Sequence, residues 1–119
     1  MANPNIVSVT TIQGITGAKT LTATSVSQVS NASSSGKVYK LNTIIASNKS
    51  GTTTTQVNVG YVKSGVTYYI ARTVDVPADS SVVILDKNTQ IYLGEGESIT
   101  AFAATGSIID LLISYEEIS

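Results

Sequence analysis

The sequence predicts an all-β chain, an antiparallel β-sandwich of jelly-roll or immunoglobulin-like type with about eight strands. Three observations carry this prediction. Val and Ile number 13 each and Thr 16, against only six Leu, and β-branched side chains favour strands over helices. Apolar residues alternate with polar ones in several segments, and nowhere do they keep a 3.6-residue period over three turns with suitable caps. Turn residues interrupt the chain about every eight to twelve residues, the spacing of short antiparallel strands. The 119 residues make a single domain, 1–119, in which 42% of residues are hydrophobic. That is enough for a core without disulfides or metals.

The elements follow in order. Residues 1–7 read as an extended N-terminal arm, overlapping a first strand at 5–12. A second strand is expected at 19–29, before the loop Asn31-Ala32-Ser33-Ser34-Ser35-Gly36. A third, 37–47, leads to Asn48-Lys49-Ser50-Gly51, and a fourth, 54–63, to Lys63-Ser64-Gly65. Both connections read as hairpins ending in Gly. In 54–63, Val57, Val59 and Tyr61 share one face. The fifth strand, 66–76, sets Val66, Tyr68, Ile70, Val74 and Val76 against Thr67, Tyr69, Ala71, Thr73 and Asp75. One of Tyr68 and Tyr69 is therefore expected in the core and the other outside. Pro77 breaks the chain, because it cannot donate to a ladder. Strands at 81–86 and 90–93 flank the turn Asp86-Lys87-Asn88, and Gly94-Glu95-Gly96-Glu97 makes a tight corner. Residues 97–104 could make a short helix, but Ile99, Ala101 and Ala103 alternate just as well. Thr105-Gly106 reads as the last hairpin, before 107–116, whose two partly apolar faces suit a central strand or one buried on its second face by a partner.

Composition excludes several function classes. The chain has no Cys and no His. Zinc-thiolate sites, cysteine nucleophiles and the Ser-His-Asp triad are therefore absent. A net charge of −1 with seven cations lacks the basic footprint of a nucleic-acid binder. No apolar run approaches the roughly eighteen residues of a membrane span. The opening Met1-Ala2-Asn3-Pro4-Asn5 lacks the basic and apolar regions of a secretory signal. Neither nucleic acid nor membrane is expected as a partner.

The remaining candidates for chemistry are few. Glu95 and Glu97 flank Gly96 and could act as an acid/base pair or share a metal; the plainer reading is a solvated corner. Asp75, Asp79 and Asp86 surround the proline turn without calcium-loop spacing. Glu116 and Glu117 are adjacent strand residues and point apart. Lys63-Ser64 places an amine beside a hydroxyl without an apolar box to activate it. Gly14-Ile15-Thr16-Gly17 lacks the third Gly of a phosphate loop. Tyr61, Tyr68 and Tyr69 concentrate the aromatic surface, and an exposed Tyr could stack on a sugar. Asn31-Ala32-Ser33 and Asn48-Lys49-Ser50 match the glycosylation sequon by chance in a Ser-rich chain. No residue is assigned a catalytic, cofactor-binding or metal-ligating role, and no enzyme activity is expected.

The charge deficit is more informative. Charged residues are 13% of the chain, with two prolines, against about 25% charged in an average soluble domain. A sandwich must guard its edge strands, and little is available here to do so. Neighbouring subunits are the economical cover, and a homo-oligomer is expected, with a trimer favoured.

Five stretches carry a family resemblance: Met1-Ala2-Asn3-Pro4-Asn5-Ile6-Val7, Lys37-Val38-Tyr39-Lys40-Leu41-Asn42, Val74-Asp75-Val76-Pro77-Ala78-Asp79-Ser80-Ser81, Ile91-Tyr92-Leu93-Gly94-Glu95-Gly96-Glu97-Ser98-Ile99 and Ser114-Tyr115-Glu116-Glu117-Ile118-Ser119. In that order and spacing the chain resembles small virion structural proteins of tailed bacteriophages, of the marine cyanophage type. The resemblance implies a part of the particle, assembled in the host cytoplasm without a signal peptide and ending in the virion. It leads to the expectation of a capsid decoration or cement protein, bound to the major capsid protein or other virion proteins, with Ala2 to Val7 as a tether. Alternatives are a tail, baseplate or fibre component, or a carbohydrate-binding module that reads host glycans through Tyr68 or Tyr69. The family brings no cofactor and no catalytic motif.

Overall fold

A computed structural model describes residues 11–86, 88 and 91–119. Nine strands run in order: β1 Ile12–Thr20, β2 Val26–Ser30, β3 Val38–Asn48, β4 Thr55–Lys63, β5 Val66–Val76, β6 Ser81–Leu85, β7 Ile91–Leu93, β8 Ser98–Ala103 and β9 Ile109–Ile118. They form two antiparallel sheets. One has the order β1-β9-β3-β6, with β7 also on β3; the other has the order β2-β8-β4-β5. β6 and β7 both pair with β3, at Ile44–Ser47 and at Tyr39–Leu41. They are two pieces of one edge. Counted that way, first pairs with last, second with second-last, third with sixth and fourth with fifth. This nesting is the jelly-roll, so the sandwich is of that type rather than immunoglobulin-like.

The core lies between the sheets and follows the period-2 pattern. On β3 and β9, Leu41, Ile44, Ala46, Ile109, Leu111 and Ile113 are buried. They face Val57 and Val59 of β4 and Ile99, Ala101 and Ala103 of β8. Alternation along β8 is complete, which settles 97–104 as a strand. β9 lies between β1 and β3, the central position its two apolar faces indicated.

The strands predicted from 37 onward are all present, with ends moved by at most two residues. The first two differ. The arm expected at 1–7 lies outside the described residues, as does the segment predicted at 5–12 except for residues 11 and 12. β1 instead occupies 12–20, across Gly14 and Gly17. All nine of its residues pair with β9 without a register shift, from Ile12 opposite Ile118 to Thr20 opposite Asp110. Its side chains are almost all exposed, so the ladder and not an apolar face fixes it. The predicted 19–29 strand is cut at Leu21, which is buried where the chain crosses between sheets. Leu21 N–H donates to Ile109 O at 2.8 Å, and Ser107 N–H donates to Leu21 O at 2.9 Å.

Two predicted hairpins are also corrected. Asn48–Gly51 and Thr105–Gly106 join strands of different sheets, as the nested topology requires. Among consecutive strands only β4 and β5 pair with each other. Their turn places Ser64 at φ 53° and Gly65 at φ 77°, the two positive values of a type I′ hairpin whose twist matches the strands.

Candidate functional site

The corner 94–97 is not a solvated tip. Glu97 N–H donates to Gly94 O at 3.2 Å, and Gly96 takes φ 79°, a conformation that glycine adopts without strain. The turn sends the two carboxylates to different segments. Glu95 Oε2 accepts from Gly36 N–H at 2.6 Å. Glu97 Oε1 accepts from the Tyr61 hydroxyl at 2.6 Å and from Gly94 N–H at 2.8 Å, while Lys63 lies 3.9 Å from its other oxygen. Burial pushes the Tyr61 phenol up to about 12, with the hydrogen bond to the Glu97 carboxylate and its charge adding. The pair fastens loops rather than facing a common substrate.

Asn31 lies at the centre of the same corner with 1% of its surface exposed. Its amide Nδ2 donates to Lys37 O at 2.9 Å and to Leu93 O at 3.0 Å, and its Oδ1 accepts from the Ser35 hydroxyl at 2.6 Å. Its backbone bonds Glu97 and Gly96. Asn48, at the far end of β3, is built alike. Its Nδ2 donates to Thr53 O at 2.7 Å and Val76 O at 3.0 Å, and its Oδ1 accepts from Ser50 N–H at 2.9 Å. Both sequon asparagines are thus buried structural ties.

The other candidates stay apart. Asp79 adopts φ 55° and donates its N–H to Ser50 O, Asp75 lies opposite Gln56 on β5, and Asp86 accepts from Asn88 N–H. Among the described residues no three acidic side chains group to hold a metal ion. Ser64 occupies the exposed hairpin turn, and Gly14 and Gly17 lie inside β1. Glu116 pairs with Lys40 at 3.7 Å and Glu117 with Lys37 at 2.6 Å. The hydrogen bond and charge of Glu117 hold the Lys37 ammonium above its usual range. Tyr39 and Tyr115 stack at 5.4 Å beside these pairs, and burial raises both phenols. Asp110 accepts from the Thr20 hydroxyl at 2.7 Å and lies 3.3 Å from Lys49; these contacts, Thr20 first, lower its carboxyl.

Tyr68 and Tyr69 depart from expectation. They point to opposite sides, but both are exposed, at 58% and 44%. Register shifts beside Val59 break the β5 alternation, and the hairpin end of this edge strand leaves Tyr68 uncovered. Arg72 lies 4.9 Å from the Tyr69 ring centre in a cation–π contact.

The sheet margins form the distinctive surface. Eight large hydrophobic side chains are exposed among the described residues, and seven lie on edge strands: Ile12, Val26, Val66, Tyr68, Tyr69, Val83 and Tyr92. The edge strands β1, β2, β5, β6 and β7 carry only Lys19, Arg72 and Asp75 as charges, and no proline. Pattern reading detected the shortage of guards but not where the apolar groups would lie, because sheet order decides which strands are edges.

No family model matches the chain, and no curated protein matches it. A solved structure from work on Bacillus endospore appendages, described there as a novel family of disulfide-linked pili, shares the fold. Its TM-score is 0.53 at 16% identity, over 93% of this chain and 88% of that one. At that identity the likeness is one of fold.

Proposed function

We propose that this chain is a non-enzymatic structural subunit of a multi-copy assembly, a tailed-phage particle on which it decorates or cements the capsid shell. The observation that carries the reading is the margin of apolar, weakly charged edge strands. Such edges expose unpaired N–H and C=O groups beside apolar side chains and invite pairing with another chain. A protein bound only to the assembled shell stabilises it by mass action. The phage setting rests on the sequence resemblance.

The fold likeness to a pilus protein favours a second reading, a subunit of a tail, fibre or other filament. A chain without cysteine must hold such a filament together without disulfides, so edge pairing and face contacts would carry the load there as well.

Quantitative mass spectrometry of purified particles distinguishes these readings. Copies comparable in number to the major capsid protein support shell decoration, and a handful per particle favours the tail or fibre reading. Absence from particles overturns the phage assignment.

A further inference from the structure

We infer that the outer face of the sheet β1-β9-β3-β6 is a contact surface for a second copy of this chain. Three registers carry the inference. Ala18 lies opposite Leu112, Leu112 opposite Ile45, and Ile45 opposite Val83. Paired residues on antiparallel strands share a face. Their sequence neighbours Gly17, Ile113, Ile44, Leu111 and Ala46 point into the sandwich. The four therefore form one unbroken apolar stripe on the outside, crossing β1, β9, β3 and β6.

Val83 is 58% and Leu112 37% exposed, Ala18 is exposed and Ile45 is half-buried. Leu112 is the one exposed large hydrophobic among the described residues that is not on an edge strand. An edge position cannot explain its exposure.

The borders of the stripe indicate the occupant. On one side runs Thr16–Ser114–Thr43, and on the other Thr20–Asp110–Ser47–Ser81. Short hydroxyl side chains lose little freedom on ordering and leave the face flat. The charges beside the stripe are two pairs, Lys49 with Asp110 and Lys40 with Glu116, and Lys19, whose ammonium turns away toward Ser27 O at 3.5 Å, so the outward charges balance within pairs. A charged partner would call for a surface of one sign. A second copy brings the same four charges already paired, and meets the face without repulsion. At ordinary strand spacing the face offers roughly 600 Å² per copy, or roughly 1,200 Å² in total, the lower limit for a stable interface. A shallow depression of about 390 Å³ lined by Ala18, Lys19, Thr20, Asp110 and Leu112 gives the contact a place to seat a side chain of its mate.

The inference deepens the multi-copy reading and is tested separately from it. Sedimentation equilibrium of the full chain is compared with Leu112→Lys, Val83→Lys and the control Thr100→Lys on the other sheet, with folding checked by circular dichroism. The unmodified chain and the control should self-associate, and Leu112→Lys should weaken association by roughly 100-fold, as expected when a buried apolar anchor becomes a charge. Cysteine replacements at Leu112, Ile45 and Val83 in this cysteine-free chain should oxidise to disulfide-linked dimers far faster than Thr100→Cys. A monomer at every concentration, or association insensitive to both lysines, overturns the inference whatever the particle count shows. A monomer whose Leu112→Lys form no longer binds particles assigns the face to a shell protein and overturns the second copy, while leaving the particle role intact.

Discussion

Asn31 and Asn48 make the same connection at opposite ends of β3. Each buries a side-chain amide that donates to two carbonyls of other segments while its oxygen accepts a local donor. Together they clamp both ends of the sandwich. Replacing either by Asp turns the double donor into an acceptor that faces two carbonyl oxygens. Asn31→Asp and Asn48→Asp should each destabilise by about 3 kcal/mol near neutral pH, read as a lower urea midpoint. Part of the loss should be recovered at low pH, where the new carboxyl is protonated and can donate.

Tyr61 should titrate late. Its folded phenol is raised to about 12 against about 10 in an unfolded chain. The folded state therefore holds the proton more tightly. Its contribution is fully present below about pH 10 and is lost as pH rises toward 12. Ultraviolet titration at the tyrosinate band should show the highest step disappear in Tyr61→Phe, and the variant's stability should fall less steeply above pH 10. Loss of a step near pH 10 with the highest step retained would show that the Tyr61 phenol is not raised.

Asp110 has the opposite sign. Its lowered carboxyl contributes stability above the ordinary Asp range, and that stability is lost as pH falls through its folded value. Thr20→Val removes the strongest cause. Its carboxyl carbon shift, followed by NMR, should then titrate at higher pH than in the unmodified chain.

Thr73 adopts φ 48° within β5, an outlier for a β-branched residue. Asn58 Oδ1 holds it by accepting its N–H at 2.9 Å. Thr73→Gly should relieve strain and stabilise by about 1 kcal/mol, seen as a higher melting temperature. Asn58→Leu should destabilise by removing the acceptor that holds the bulge.

The strands with an apolar inner face were legible because burial and alternation coincide there, as along β8 and through Ile109, Leu111 and Ile113 of β9. β1 was not, because its signal is a backbone ladder running through two glycines. The register shifts beside Val59 and at Leu41 interrupt the alternation without a mark in the pattern, and Tyr68, opposite Tyr61, is exposed because the hairpin end of β5 leaves it uncovered, so neither Tyr68 nor Tyr69 fills a core position. Asn31 and Asn48 looked like surface loop residues, since nothing local distinguishes an amide that will be buried by distant carbonyls. The corner Glu95–Glu97 was visible as a turn, but its partners Gly36 and Tyr61 are far away in sequence. The apolar stripe across β1, β9, β3 and β6 needs sheet order, which alternation along single strands does not contain.

The central claim is that neighbours cover the margins of this sandwich. Hydrogen exchange of the edge-strand amides in β1, β2 and β5, compared between the dilute chain and the purified assembly, tests it most directly. The outward-facing amides of at least one of these strands should exchange at least roughly ten times more slowly in the assembly, as newly bonded edges do. Equal rates at all of them would contradict the claim.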